Sequence, residues 1–214
     1  MVGADDQFVF AAVADQRRQF ASLINDLDDA QLSTPSLCLG WDVKTVAAHV
    51  VSTVLDGMPG FLQMAVRCGS LSRGIDKLAR RRAQAPMAEI VAALREHADR
   101  PISSPVFGPR GPLADILVHS GDVRIALGLP FEPDVRQAAL AMDFLTGRWP
   151  IGFVPLSRLR GIRLSANDVS RSWREGVNVT GPVAALMMSV CGRAESMDAL
   201  AGPGSTVLRH RLST

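Results

Sequence analysis

The chain has 214 residues, 47% of them hydrophobic and 21% charged, which is enough to bury a full core and excludes disordered and fibrous architectures. A net charge of +2 and a pI near 8.7 are too mild for a nucleic-acid footprint. The densest basic run, Lys77 with Arg80, Arg81 and Arg82, reads as a solvated last helical turn whose cations complement the helix dipole.

The first half reads as helices separated by short loops. An amphipathic helix is expected from about Asp5 to Leu32, ended by Ser33-Thr34-Pro35-Ser36. A second starts near Asp42, a good N-cap, and carries Val43, Val46, Ala47, Val50, Val51 and Val54 at helical spacing until Gly57 and Pro59 disturb or end it. Helical pieces over 73–82 and 86–97 follow, then a structureless rim loop over 101–112 with Pro105, Gly108, Pro109 and Gly111. Helical periodicity resumes over 113–127 and stops at Gly128, with Pro130 just beyond. One more helix, 133–148, completes a bundle.

Past Pro150 the pattern changes. Ile162, Leu164 and Ala166 alternate with Arg163 and Ser165, which predicts a strand, and Trp173 to Thr180 reads as its partner. Gly181-Pro182 opens an apolar helix through Cys191, and Gly202-Pro203-Gly204 turns into a short element ending near Leu212. The expected organisation is a helical bundle over 1–150 and a small α/β module over 151–214.

Cys38, Cys68 and Cys191 are far apart and odd in number, so neither a disulfide framework nor a cysteine-rich zinc site is expected. Met1 to Phe10 lacks a basic segment followed by an apolar one. No apolar run reaches the ~20 residues that span a bilayer. Together these features predict a cytoplasmic protein with neither a membrane nor a nucleic-acid partner. The chain has no tyrosine, and no G-x-S-x-G elbow, P-loop or G-x-G-x-x-G fingerprint is present.

The chemistry-bearing residues lie on two of these helices. On the Asp42 helix, His49 falls with Asp42, Thr45, Thr53 and Asp56 on a polar stripe opposite the valines, so it is expected to point away from the core. On the 113–127 helix, Asp115, His119 and Asp122 recur at i, i+4 and i+7 and share one side. Asp115 and His119 can close on one ion, and a second histidine from another helix leaves a position open for water or substrate, as catalytic sites do. Among abundant metals the N/O donor set suits zinc best. The spacing alone fits a solvated helix face equally well.

Two stretches carry a resemblance that bears on this choice. Leu32-Ser-Thr-Pro-Ser-Leu-Cys-Leu-Gly-Trp41-Asp-Val-Lys-Thr-Val-Ala-Ala-His49-Val resembles the first signature of the mycothiol-dependent maleylpyruvate isomerase family, in the DinB-like helical-bundle superfamily. Ala114-Asp115-Ile-Leu-Val-His119-Ser-Gly-Asp122-Val-Arg-Ile-Ala-Leu-Gly128-Leu-Pro130 is similar to the second. Leu164-Ser-Ala-Asn-Asp168, Trp173 and the Gly181-Pro182 helix ending Gly192-Arg193 look like the family's small C-terminal module. The resemblance implies an α+β fold, a DinB-like α-helical bundle followed by that module. It also implies a divalent metal on His49, Asp115 and His119, with Asp115 standing where the isomerase is expected to use Glu.

A family-type reaction implies mycothiol as the thiol cosubstrate, activated as thiolate to isomerise a maleylpyruvate-like substrate or to be transferred to an electrophile. Arg193, Arg209 and Arg211 are the candidates for binding a substrate carboxylate. Trp41 and Cys38, just before the His49 helix, could line the site mouth, and Asp122 could hold the second ring nitrogen of a metal histidine. Cys38 shows no activating cation nearby in sequence and is taken as inert. The alternative is a non-catalytic DinB-like protein that binds a metal or ligand.

Overall fold

The computed structural model describes residues 4–103, 108–148, 150 and 152–213. Met1 and Pro105, used in the leader and rim-loop readings, lie outside them. The chain divides into two compact units, one of residues 1–104 with 119–130 and one of residues 105–118 with 131–214. The division falls within one uninterrupted helix.

The first unit holds α1 (Ala4–Asn25), α2 (Asp29–Leu32), α3 (Val43–Leu55), α4 (Gly57–Cys68), α5 (Leu71–Arg82), α6 (Met87–Glu96) and the last turns of α7 (Arg110–Ala126). The single helix expected over 5–32 is two. Asp28 starts the second by accepting the Gln31 N–H at 2.8 Å, while the Gln31 side chain accepts the Asp28 N–H at 3.0 Å, a reciprocal cap that favours a new start over continuation. Asp42 caps α3 as expected, accepting the Thr45 N–H at 2.7 Å.

The polar stripe of α3 is not solvated, however. Thr45 is 6% and His49 5% exposed, because α3 is covered by α4, α5 and α6 and is buried almost all round. Its valines face the core, and His49 faces a second interior surface.

Gly57 and Pro59 do not close the chain into a loop. Gly57, at φ +55, turns the backbone, and Pro59 falls in the first turn of α4, where its missing N–H costs nothing. Likewise Pro112 sits in the first turn of α7, so that helix begins at Arg110, inside the expected loop.

In the second unit the start of α7 is joined by α8 (Val135–Leu145), β1 (Ile162–Ala166), β2 (Ser172–Trp173), β3 (Val177–Gly181), α9 (Val183–Val190) and α10 (Pro203–Leu212). The sheet order is β2-β1-β3, with Leu164 opposite Trp173 in the antiparallel pair and Ile162 opposite Val177 in the parallel one. The one partner strand expected over 173–180 is broken in two at Arg174 (φ +62) and Gly176 (φ +138). A Cβ at Gly176 would lie 2.0 Å from the Gly161 carbonyl oxygen, so only glycine permits that crossing.

The expected boundary near Pro150 would part α8 from partners in its own unit. α8 packs on α9. Its Asp143 accepts the Trp173 indole N–H at 2.8 Å and pairs with Arg171 at 2.7 Å. Among the described residues no helix is long and apolar enough to cross a membrane.

The α4–α5 hairpin is close enough to set the sign of a mutation. A Cβ on the buried Gly74 would stand 2.8 Å from the Ala65 nitrogen and 2.9 Å from the Met64 carbonyl carbon, both backbone atoms. In an open helix Gly→Ala stabilises by about 1 kcal/mol. Here the clash wins, and Gly74→Ala is expected to lower the urea-unfolding free energy by about 1–3 kcal/mol. A variant more stable than wild type would contradict this packing.

Candidate metal centre

His49 leaves the middle of α3 into a pocket of rings. Its centroid lies 5.1 Å from Trp41, 6.1 Å from Phe61 in a near-stacked pose, and 4.8 Å from His119 at 74°. Both imidazoles are buried, at 5% and 8% exposure. Two basic rings brought edge to face away from water repel if both are protonated, which favours at least one neutral ring with a lone pair to offer.

His119 is held from behind. Its Nδ1 lies 2.9 Å from Oδ2 of Asp122, one turn on in α7 and fully buried. An ionised carboxylate can only accept, so opposite ionised Asp122 the proton sits on Nδ1 and the Nε2 lone pair is the one left for an ion. The Asp122 carbonyl in turn accepts the Leu37 N–H at 3.3 Å, which ties the turn before α3 to α7.

Asp115, half-buried, sits one turn before His119 on the same continuous helix. The donor atoms of His49, Asp115 and His119 all lie within 4.8 Å of one another. Two imidazole nitrogens and one carboxylate oxygen, with a second carboxylate fixing the tautomer of one ring, suit a divalent cation bound by three protein ligands. The residues present therefore fit the implied ion.

A second group, Cys38, His119 and Asp122, meets the same distance limit, so Cys38 stands beside an imidazole that its sequence neighbourhood does not reveal. Its turn is locked. Trp41 donates its indole N–H to Asp76 at 2.8 Å, and Arg80 spans Asp76 at 2.9 Å and the Gly40 carbonyl at 2.8 Å. Gly40 needs its φ of +80° to make that turn. So fixed, the Trp41 ring touches His49 and stands 6.2 Å from His119.

Sequence reasoning missed Phe61, Asp76 and Arg80, and it placed Cys38 at the site mouth without an activating partner. Phe61 lies on a helix whose start resembles a breaker. Asp76 and Arg80 are legible only as an i, i+4 pair on α5, with nothing to show that they reach Trp41.

The three candidate arginines belong to the second unit. Arg193 donates to the Cys191 carbonyl at 2.6 Å, Arg209 pairs with exposed Asp198 at 2.9 Å, and Arg211 donates to the Arg158 and Arg160 carbonyls at 2.9 and 2.8 Å. Burial pushes the Arg158 guanidinium below its ordinary pKa; the Cys191 thiol opposes this and nearby Arg193 adds to it.

Among solved structures, the crystal structure of the mycothiol-dependent maleylpyruvate isomerase covers 94% of this chain and 93% of its own at 16% identity and a TM-score of 0.50, so the two share a fold. A point mutant of that isomerase matches with the same coverage and identity at a TM-score of 0.47. No curated protein matches the sequence. Residues 13–104 match the family model described as the mycothiol maleylpyruvate isomerase N-terminal domain, so this part of the chain is similar to that family.

Proposed function

We propose that the chain is a cytoplasmic, divalent-metal enzyme that activates mycothiol, either to isomerise a maleylpyruvate-like substrate or to couple the intact thiol through its sulfur to an electrophile. The observation that carries this reading is the convergence of His49, Asp115 and His119, with Asp122 behind His119. Zinc is the ion proposed, since nitrogen and oxygen donors and a thiol ligand all suit it.

An ion held there supplies the positive charge at which a thiol gives up its proton and becomes a nucleophile. The protein's residues do the rest. Asp122 keeps the Nδ1 proton on His119, so the ring neither rotates nor presents the wrong nitrogen. Trp41 and Phe61 flank His49 with apolar surface that thins the water around the reacting sulfur.

In an isomerisation the sulfur bonds to one alkene carbon while the electron pair moves onto the conjugated carbonyl. Rotation about the new single bond follows. Breaking the C–S bond then returns the pair to the double bond and frees the thiolate. In a transfer the C–S bond persists, and a proton from water discharges the enolate to give the thioether.

Arg193, Arg209 and Arg211 are the groups proposed to pair with a substrate carboxylate. Arg209 is the easiest to recruit, because its present exposed ion pair is of a kind worth about 0–1 kcal/mol.

Purified protein is expected to retain about one equivalent of metal by elemental analysis, and His49→Ala or His119→Ala to lose it. Asp122→Asn is expected to keep the fold but weaken metal affinity about 10–100-fold, since the ring loses its orienting charge. A folded wild-type protein that takes up no zinc, cobalt or manganese would refute the reading.

Thiol activation is tested apart from metal binding. Cobalt-loaded Cys38→Ser protein is expected to develop a thiolate-to-metal absorption band when mycothiol is added. An unchanged spectrum with cobalt bound would point instead to a metal-bound water as nucleophile.

A further inference from the structure

Cys38, His119 and Asp122 bring a sulfur, a nitrogen and a carboxylate oxygen within 4.8 Å of one another, and this group shares only His119 with the first. Asp122 is 0% exposed, His119 is 8% exposed and Cys38 is half-buried. The turn that carries the thiol is held on both sides. Leu37 donates to the Asp122 carbonyl at 3.3 Å, Cys38 N–H to Ser36 Oγ at 3.1 Å, and Trp41 N–H to the Cys38 carbonyl at 3.0 Å. Arg80 fixes the Gly40 carbonyl from α5. Cys38 is thus placed against Asp122 by its backbone.

The two groups draw on the same imidazole. Nδ1 is the His119 nitrogen that faces Asp122, at 2.9 Å, so an ion between Asp122 and Cys38 meets Nδ1. The His49–Asp115 side is left with Nε2. The donor sets also differ in softness: nitrogen and oxygen on one side, and on the other a thiolate, which favours large polarizable ions.

We propose that Cys38, Asp122 and Nδ1 of His119 form a second cation site, selective for thiophilic ions such as Cd²⁺ and exclusive with the His49–Asp115–His119 set. The exclusion is chemical. Filling the second site releases the Cys38 thiol proton and moves the imidazole proton from Nδ1 to Nε2, which closes Nε2 to any ion. It also turns Asp122 from the carboxylate that orients the ring into a ligand. A thiophilic ion therefore disables the first set while touching neither His49 nor Asp115.

The test is a cadmium titration of the metal-free chain, read by thiolate-to-cadmium absorption in the ultraviolet. Wild type is expected to show the band, Cys38→Ser and His119→Ala to lose it, and His49→Ala to retain it. The retained band in His49→Ala separates this site from the first, so the inference stands or falls independently of the proposed reaction.

Absence of the band in wild type overturns the proposal, as does its persistence in Cys38→Ser, which would assign it to Cys68 or Cys191. Loss of the band in His49→Ala also overturns it, because Cys38 would then complete the first site. A second measurement needs no variant: cadmium is expected to protect Cys38 but not Cys68 of the wild-type chain from alkylation by iodoacetamide, read by mass spectrometry. Equal alkylation of Cys38 with and without cadmium overturns the proposal.

Discussion

The hydrogen bond between His119 Nδ1 and the Asp122 carboxylate is the interaction on which the rest of the site depends. A wholly buried carboxylate is costly unless a donor meets it. With Asp122 ionised at 0% exposure, the imidazole proton sits on Nδ1, where it meets that carboxylate. One bond therefore settles the tautomer of His119, the direction of its free lone pair and the charge behind the ring. The helical spacing of α7 does the remainder, putting Asp115 one turn before His119 and Asp122 one turn after it.

The elements around that bond hold it in place. The turn before α3 donates from Leu37 to the Asp122 carbonyl and is stapled to α5 by Arg80. Asp76 receives the Trp41 indole, so the aromatic wall beside the histidines is set by polar contacts to α5 as much as by packing. The α4–α5 hairpin that bears Phe61 and Asp76 closes tightly because Gly74 lets the two backbones touch. Side chains buried among rings and backbone hydrogen bonds are weakly screened, which makes the Asp122 carboxylate effective on His119.

Much of this was legible in the residues. Asp42 announces the start of α3, and the recurrence of Asp115, His119 and Asp122 on one face needs only helical geometry. The burial of His49 was not legible. Its neighbours Thr45 and Thr53 give the stripe a solvated look, and only the packing of α4 and α5 over it turns a polar face into an interior one. α4 itself was hidden because Gly57 and Pro59 break helices in mid-run but serve at a first turn.

The position of Cys38 before the His49 helix hinted at the site mouth, but its meeting with His119 was out of reach, since the two residues lie on different elements and are joined through the turn bonded to α7. The split between β2 and β3 rests on the backbone of Arg174 and Gly176, which alternation of apolar residues does not register.

The central claim is that both buried imidazoles serve one ion together with Asp115. X-ray absorption at the zinc edge of the loaded protein, without added thiol, reads the ligand shell directly. The account predicts scattering from two imidazoles in a shell of nitrogen and oxygen with no sulfur at about 2.3 Å. A shell with one imidazole or none, or with a sulfur neighbour, would contradict it.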